Sequence, residues 1–155
     1  MKIIEIENNN FANNKKLNKI YVDFVKLFDE VNKHEIPEDI IKEINTEIEK
    51  INSFSGKDKK FLKVFVKSQL KTLRILEAKL GLVPKKHYQN TWMAVGIAIG
   101  ISLGVAIGTA TNMGMMAIGL PIGLGIGIHL GKKKDDEVLK QGKQLDVEIE
   151  QTFMI

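Results

Sequence analysis

From about residue 13 to 33 the apolar positions are Leu17, Tyr21, Phe24, Phe28 and Val31. Steps of four and three put them on one stripe of a helix. A second helix is predicted from Pro37, whose fixed φ suits a first helical turn, with Glu38 and Asp39 against the positive helix end. Its stripe is Ile41, Ile44, Ile48 and Ile51, with Ile40 alongside. Ser55 and Asp58 form an S-x-x-D capping signal for a third helix, which carries Phe61, Leu62, Phe65, Val66, Leu73, Leu76 and Leu80. Gly81 ends it and Pro84 blocks its continuation. Before these helices, Ile3, Ile4 and Ile6 allow a short strand, but Asn8-Asn9-Asn10 breaks it. The first dozen residues therefore read as a frayed tail.

From residue 92 to 131 there is no Asp, Glu, Lys or Arg, and ten of the thirteen glycines fall here. They recur every fourth position: Gly96, Gly100, Gly104 and Gly108, then Gly119, Gly123, Gly127 and Gly131. Trp92–Thr109 and Met113–Leu130 are each long enough, at about 27 Å as helices, to cross a hydrocarbon core of about 30 Å with snorkelling flanks. The stretch 109–114 is the turn between them. Lipid gives helices no hydrophobic reason to pair, so close backbone approach along flat glycine ridges has to hold them. A second small ridge of Ala94, Ala98, Ser102, Ala106 and Ala110 lies about 200° round the first span and is free to seat another copy. Pro121 frees the Ala117 carbonyl and is a candidate hinge, set against a merely tolerated membrane-helix proline.

Small and bulky residues also alternate through both arms, which is a strand signal compatible with a toxin-like barrel. The arm length, Pro121 and the four-residue glycine period argue for helices. After the block, Val138, Gly142, Leu145 and Ile149 step by four, three and four, so a short amphipathic tail helix is expected over 132–155, either separate from the second span or continuous with it. The expected architecture is all-α, in three parts. Residues 1–86 form a three-helix cytosolic domain, 88–131 a two-span hairpin (spans 92–109 and 113–130), and 132–155 the tail helix.

Charge sets the orientation. Lys85 and Lys86 precede the block and Lys132, Lys133 and Lys134 follow it, so both outer ends face the cytoplasm by the positive-inside rule. Residues 57–86 hold ten basic and two acidic side chains, making the third helix basic. Next to a span, such a segment most simply meets anionic headgroups. A phosphate-bearing ligand or nucleic acid is the alternative, without an aromatic RNA-binding signature to support it. The chain has no cysteine, which excludes disulfides, thiolate chemistry and a lipobox anchor. The first residues contain no apolar run of the kind a cleavable signal needs. The many Lys, Ile and Asn residues suit an AT-rich bacterial genome.

No catalytic set, metal-ligand constellation, cofactor motif or phosphate loop is credible, so no enzyme activity, metal or cofactor is expected. Gly131-Lys132-Lys133 lacks the following Ser or Thr of a phosphate loop. His34 and Glu38 sit one helical turn apart and could hold a metal, with plain solvated polarity as the simpler reading. His129 near the second span's end could sense pH or line a pore mouth, or be an interfacial histidine with no special role.

The paired G-x-x-x-G runs between Tyr88 and Gly131, around a short Thr/Asn/Met/Gly turn, resemble bacterial glycine-zipper two-span membrane proteins. The resemblance implies bilayer insertion and self-association, and similar zippers occur in oligomeric channels and envelope lipoproteins. It implies packing residues, not catalytic ones. The expected protein is a bacterial inner-membrane homo-oligomer, a channel or pore-forming effector controlled by its cytosolic helices. The alternative is a non-conducting anchor or scaffold whose helices bind another cytosolic protein.

Overall fold

The computed structural model describes residues 2–7, 15–56, 58–110 and 116–149. Five helices and two short strands follow in order: α1 (Lys15–Val31), α2 (Glu38–Asn52), α3 (Asp58–Leu80), β1 (Val83–Lys85), α4 (His87–Ala110), α5 (Met116–Lys140) and β2 (Gln144–Glu148). The fold is mostly helical, and both arms of the glycine-rich block are helices. The chain divides into two compact units: Met1–Pro84 with Leu145–Ile155, and Lys85–Gln144.

The first unit is built on the apolar stripes. Leu17, Phe24, Leu27 and Val31 of α1, Ile44, Ile48 and Ile51 of α2, and Phe61, Phe65 and Leu76 of α3 are fully buried in one cluster. Phe65 contacts Phe24 edge-on at 5.7 Å and Phe61 at 6.0 Å between ring centroids, which ties α1 to α3. Gly81 closes α3 at φ 69, with its N–H donating to the Glu77 carbonyl and the Leu82 N–H to the Leu76 carbonyl. Glycine adopts that left-handed backbone at no steric cost.

Two segments differ from expectation. Residues 2–7 are not a frayed tail. They are held by two asparagines of α2 seven residues apart, which places both on one helix face. Asn45 accepts from the Ile4 N–H at 3.0 Å and donates to the Lys2 carbonyl at 3.1 Å. Asn52 does the same with the Glu7 N–H at 3.0 Å and the Glu5 carbonyl at 2.9 Å. Each carboxamide thus bonds one backbone N–H and the carbonyl two residues before it, and Ile6 is buried against the core.

Of the expected tail helix, residues 132–140 are helical and continue α5 to its end at Lys140, residues 144–148 are a strand instead, and 150–155 lie outside the described residues. The helix is closed by Gly142 (φ 67). There the Gly142 N–H bonds to the Leu139 carbonyl and the Lys143 N–H to the Val138 carbonyl, the paired closure of a Schellman turn. Residues 144–148 then pair with β1 in a two-stranded sheet. Leu145, Val147 and Ile149 alternate inward into the first unit's core, so period two governs this stretch.

Candidate functional site: the glycine-packed helix pair

α4 and α5 lie antiparallel. Gly100 meets Gly119 and Gly123, Gly96 meets Gly123 and Gly127, and Gly131 meets Tyr88 and Gln89. In α4 from Thr91 to Thr109 the buried positions are Gly96, Gly100, Gly104 and Gly108. In α5 from Ala117 onward they are Gly123, Gly127, Gly131 and Asp135, with Gly119 half-buried. The interface is therefore backbone against backbone. A Cβ added to Gly100 would stand 2.5 Å from the Gly119 carbonyl oxygen, and one on Gly119 would stand 2.7 Å from the Gly104 Cα. One on Gly123 would stand 2.7 Å from the Gly100 Cα. Added carbons at Gly96 and Gly127 run into the carbonyls of Gly123 and Trp92. Gly125, off the ridge, faces open space.

With the small residues turned inward, the large ones point out. Ile99, Leu103, Ile107, Ile118, Ile122 and Ile126 wall an apolar groove of about 240 Å³ whose floor is glycine. Ile122 and Ile126 are each 56% exposed and Leu103 55%. Ala98, Ser102 and Ala106 are exposed, and Ala94 is half-buried. The Ser102 hydroxyl donates to the Ala98 carbonyl at 2.8 Å and the Thr109 hydroxyl to the Ala106 carbonyl at 3.1 Å. Pro121 lies exposed in the second turn of α5, which runs through it. Its missing N–H leaves the Ala117 carbonyl without the usual helical donor. The expected second span, 113–130, begins outside the described residues. Among the described residues, one helix segment, His87–Thr109, is long and apolar enough to cross a membrane.

One element of the pair was not read from the sequence. Asp135 follows Gly131 by four, so it continues the ridge 119, 123, 127, 131. It is 6% exposed, and its carboxylate accepts from the Tyr88 N–H at 3.0 Å and the Gln89 N–H at 2.9 Å. These are first-turn amides of α4, which have no partner within their own helix. A negative charge at a helix N-terminus also complements its dipole. Beside it, the Lys134 ammonium sits 4.0 Å from the centroid of the Tyr88 ring. The Gln144 side chain donates to the Asp135 backbone carbonyl at 3.3 Å. Lys85, Lys86, Lys132, Lys133 and Lys134 are all exposed at this end of the pair, as is His129.

In the first unit several charges are paired. Lys79 is bonded to Glu43 and Lys33 to Glu30. Glu47 contacts Lys50 at 2.6 Å and Lys71 at 3.5 Å. Burial pushes the Glu47 carboxyl up, but the hydrogen bonds and charges of Lys50 and Lys71 outweigh it and hold it below the usual carboxylate range. The Lys33 hydrogen bond likewise lowers Glu30, and that bond to Glu30 raises Lys33.

No curated protein and no solved structure matches the chain. Residues 86–133 match the model of a family described as "Glycine zipper membrane protein", and the matched residues take in α4 and most of α5, including all eight ridge glycines.

Proposed function

We propose that this chain is a small integral membrane protein whose α4–α5 pair spans the bilayer twice, with both ends on the cytoplasmic side, and self-associates there to cluster its helical unit. The observation that carries this reading is the inversion of the pair, with glycine inside and isoleucine and leucine outside. Among the described residues, a dozen large apolar side chains from Trp92 to Leu130 are exposed. Fully burying one such side chain is worth about 1.5–3 kcal/mol, so leaving a dozen half-exposed in water forfeits on the order of 10 kcal/mol. That equals the whole stability of an ordinary small domain, about 5–15 kcal/mol. In lipid the penalty vanishes, and the flat glycine contact supplies the packing that lipid does not.

Self-association falls to the second small ridge, Ala94, Ala98, Ser102 and Ala106, because the glycines are already used within the chain. A conducting channel is the second reading, favoured by the exposed Ser102 and His129. The clustering reading is better supported: the Ser102 and Thr109 hydroxyls are satisfied by their own helix and need no water-filled lumen. Oligomer size in nanodiscs, with planar-bilayer current on the same sample, tests both. An oligomer that passes no current above a protein-free control supports clustering. Steady current supports the channel. A monomer that purifies without detergent refutes the membrane reading.

A further inference from the structure

The basic residues of α3 are not equivalent. Lys71 and Lys79 are bound to Glu47 and Glu43 of α2. Lys60, Lys63, Lys67 and Arg74 are exposed and make no ion pair among the described residues. At 100° per residue these four fall within about 60° of one another, along about 21 Å of helix. No acidic residue of α3 falls in that arc. At its edge, three residues after Lys67 and four before Arg74, stands Leu70, an apolar side chain 40% exposed. The apolar face of α3 is packed in the core, so this basic row would meet a membrane electrostatically, cations on anionic headgroups with the exposed Leu70 beside them. The span α4 begins seven residues after α3 ends, so a bilayer is within reach of the chain.

We propose that this face of α3, Lys60, Lys63, Lys67 and Arg74 around Leu70, docks onto anionic phospholipid headgroups. The inference rests on the membrane reading above and adds a lipid-class preference to it. Its occupant is argued from charge: four cations with no ion pair among the described residues, in a chain read above as membrane-spanning. Docking then depends on the lipid composition of the leaflet, which makes the placement of the helical unit responsive to it.

The test uses the full chain, which has no native cysteine. Leu70→Cys, carrying an environment-sensitive dye, is placed in nanodiscs of phosphatidylcholine alone or of phosphatidylcholine with phosphatidylglycerol. Co-elution with the discs is scored separately and reports on the membrane reading itself. The expected result is a blue shift in the phosphatidylglycerol discs, fading as salt rises. Each Lys→Gln or Arg→Gln change at 60, 63, 67 or 74 lowers the bound-to-free ratio about fivefold at low salt. Lys42→Gln on α2, with unchanged circular dichroism, leaves the ratio as it was. Equal dye spectra in both kinds of disc, with the protein embedded, overturn the docking while leaving the spans intact. So does a shift produced by a single-stranded oligonucleotide and not by phosphatidylglycerol. Failure to enter either disc overturns both readings.

Discussion

Gly123 and Gly125 share the same helix two residues apart, but only Gly123 lies on the ridge. Replacing either by alanine removes the same backbone entropy cost, worth about 1 kcal/mol in favour of the helix. The two variants therefore differ only in what the new methyl meets. At position 125 it meets nothing, so Gly125→Ala is expected to be neutral or up to about 1 kcal/mol stabilising. At position 123 it stands 2.7 Å from the Gly100 Cα and closer still to the Gly96 carbonyl. Neither obstacle is a side chain that can rotate away, so the helices must separate. Forced overpacking of this kind costs about 1–3 kcal/mol, and a gap of about 0.5–1 Å elsewhere along the ridge forfeits a quarter to a half of each dispersion contact there. With the propensity gain cancelling, Gly123→Ala is expected to be about 1–3 kcal/mol less stable than Gly125→Ala. Unfolding by sodium dodecyl sulfate in mixed micelles, followed through Trp92, the chain's single tryptophan, measures this. Trp92 is well placed because its carbonyl faces Gly127. Equal midpoints for the two variants, or a more stable Gly123→Ala, would refute glycine-to-glycine packing as the source of the pair's cohesion.

Asp135→Ala strips the acceptor from the Tyr88 and Gln89 amides and is expected to cost about 0.5–2 kcal/mol, with faster hydrogen exchange confined to the first turn of α4. Asn45→Ala orphans the Ile4 N–H and the Lys2 carbonyl, so exchange at Ile4 should approach that of an unprotected chain while Glu7, still held by Asn52, and α2 stay protected. Glu47 is held below its ordinary pKa of 4.5, so its contribution is fully present above that value and is lost as pH falls through the lower folded value. Thermal melts from pH 6 down to pH 3 (about these values, bracketing the ordinary carboxylate range) should therefore show a steeper acid loss for the native chain than for Glu47→Gln. At neutral pH that variant is expected to be about 1 kcal/mol weaker.

The helices were legible wherever a single period governed a long stretch. Leu17, Phe24 and Val31, or Ile44, Ile48 and Ile51, repeat often enough that both the element and its buried face follow from spacing. The glycine ridges were legible for the same reason, and the side chains around them need no special geometry. Features whose partners lie far away in sequence were not legible. Asp135 caps amides 46 and 47 residues upstream, and Asn45 and Asn52 grip a segment more than 40 residues before them. Residues 138–149 misled because a sparse apolar set fits two periods. Val138, Gly142, Leu145 and Ile149 fit a helix, while Leu145, Val147 and Ile149 fit a strand. Gly142 decides between them by ending α5 in the left-handed region. The four-residue step from Gly131 to Asp135 was the one local signal that could have drawn Asp135 into the helix pair.

The most direct measurement concerns the outward isoleucines and leucines. Spin labels on single cysteines at Leu103 and Ile122, in the otherwise cysteine-free chain in nanodiscs, report whether those positions meet lipid or water. The account predicts strong relaxation by oxygen, which concentrates in the acyl region, and little by a water-soluble nickel chelate. Stronger relaxation by the chelate at both positions would place that face in water and contradict a bilayer-embedded helix pair.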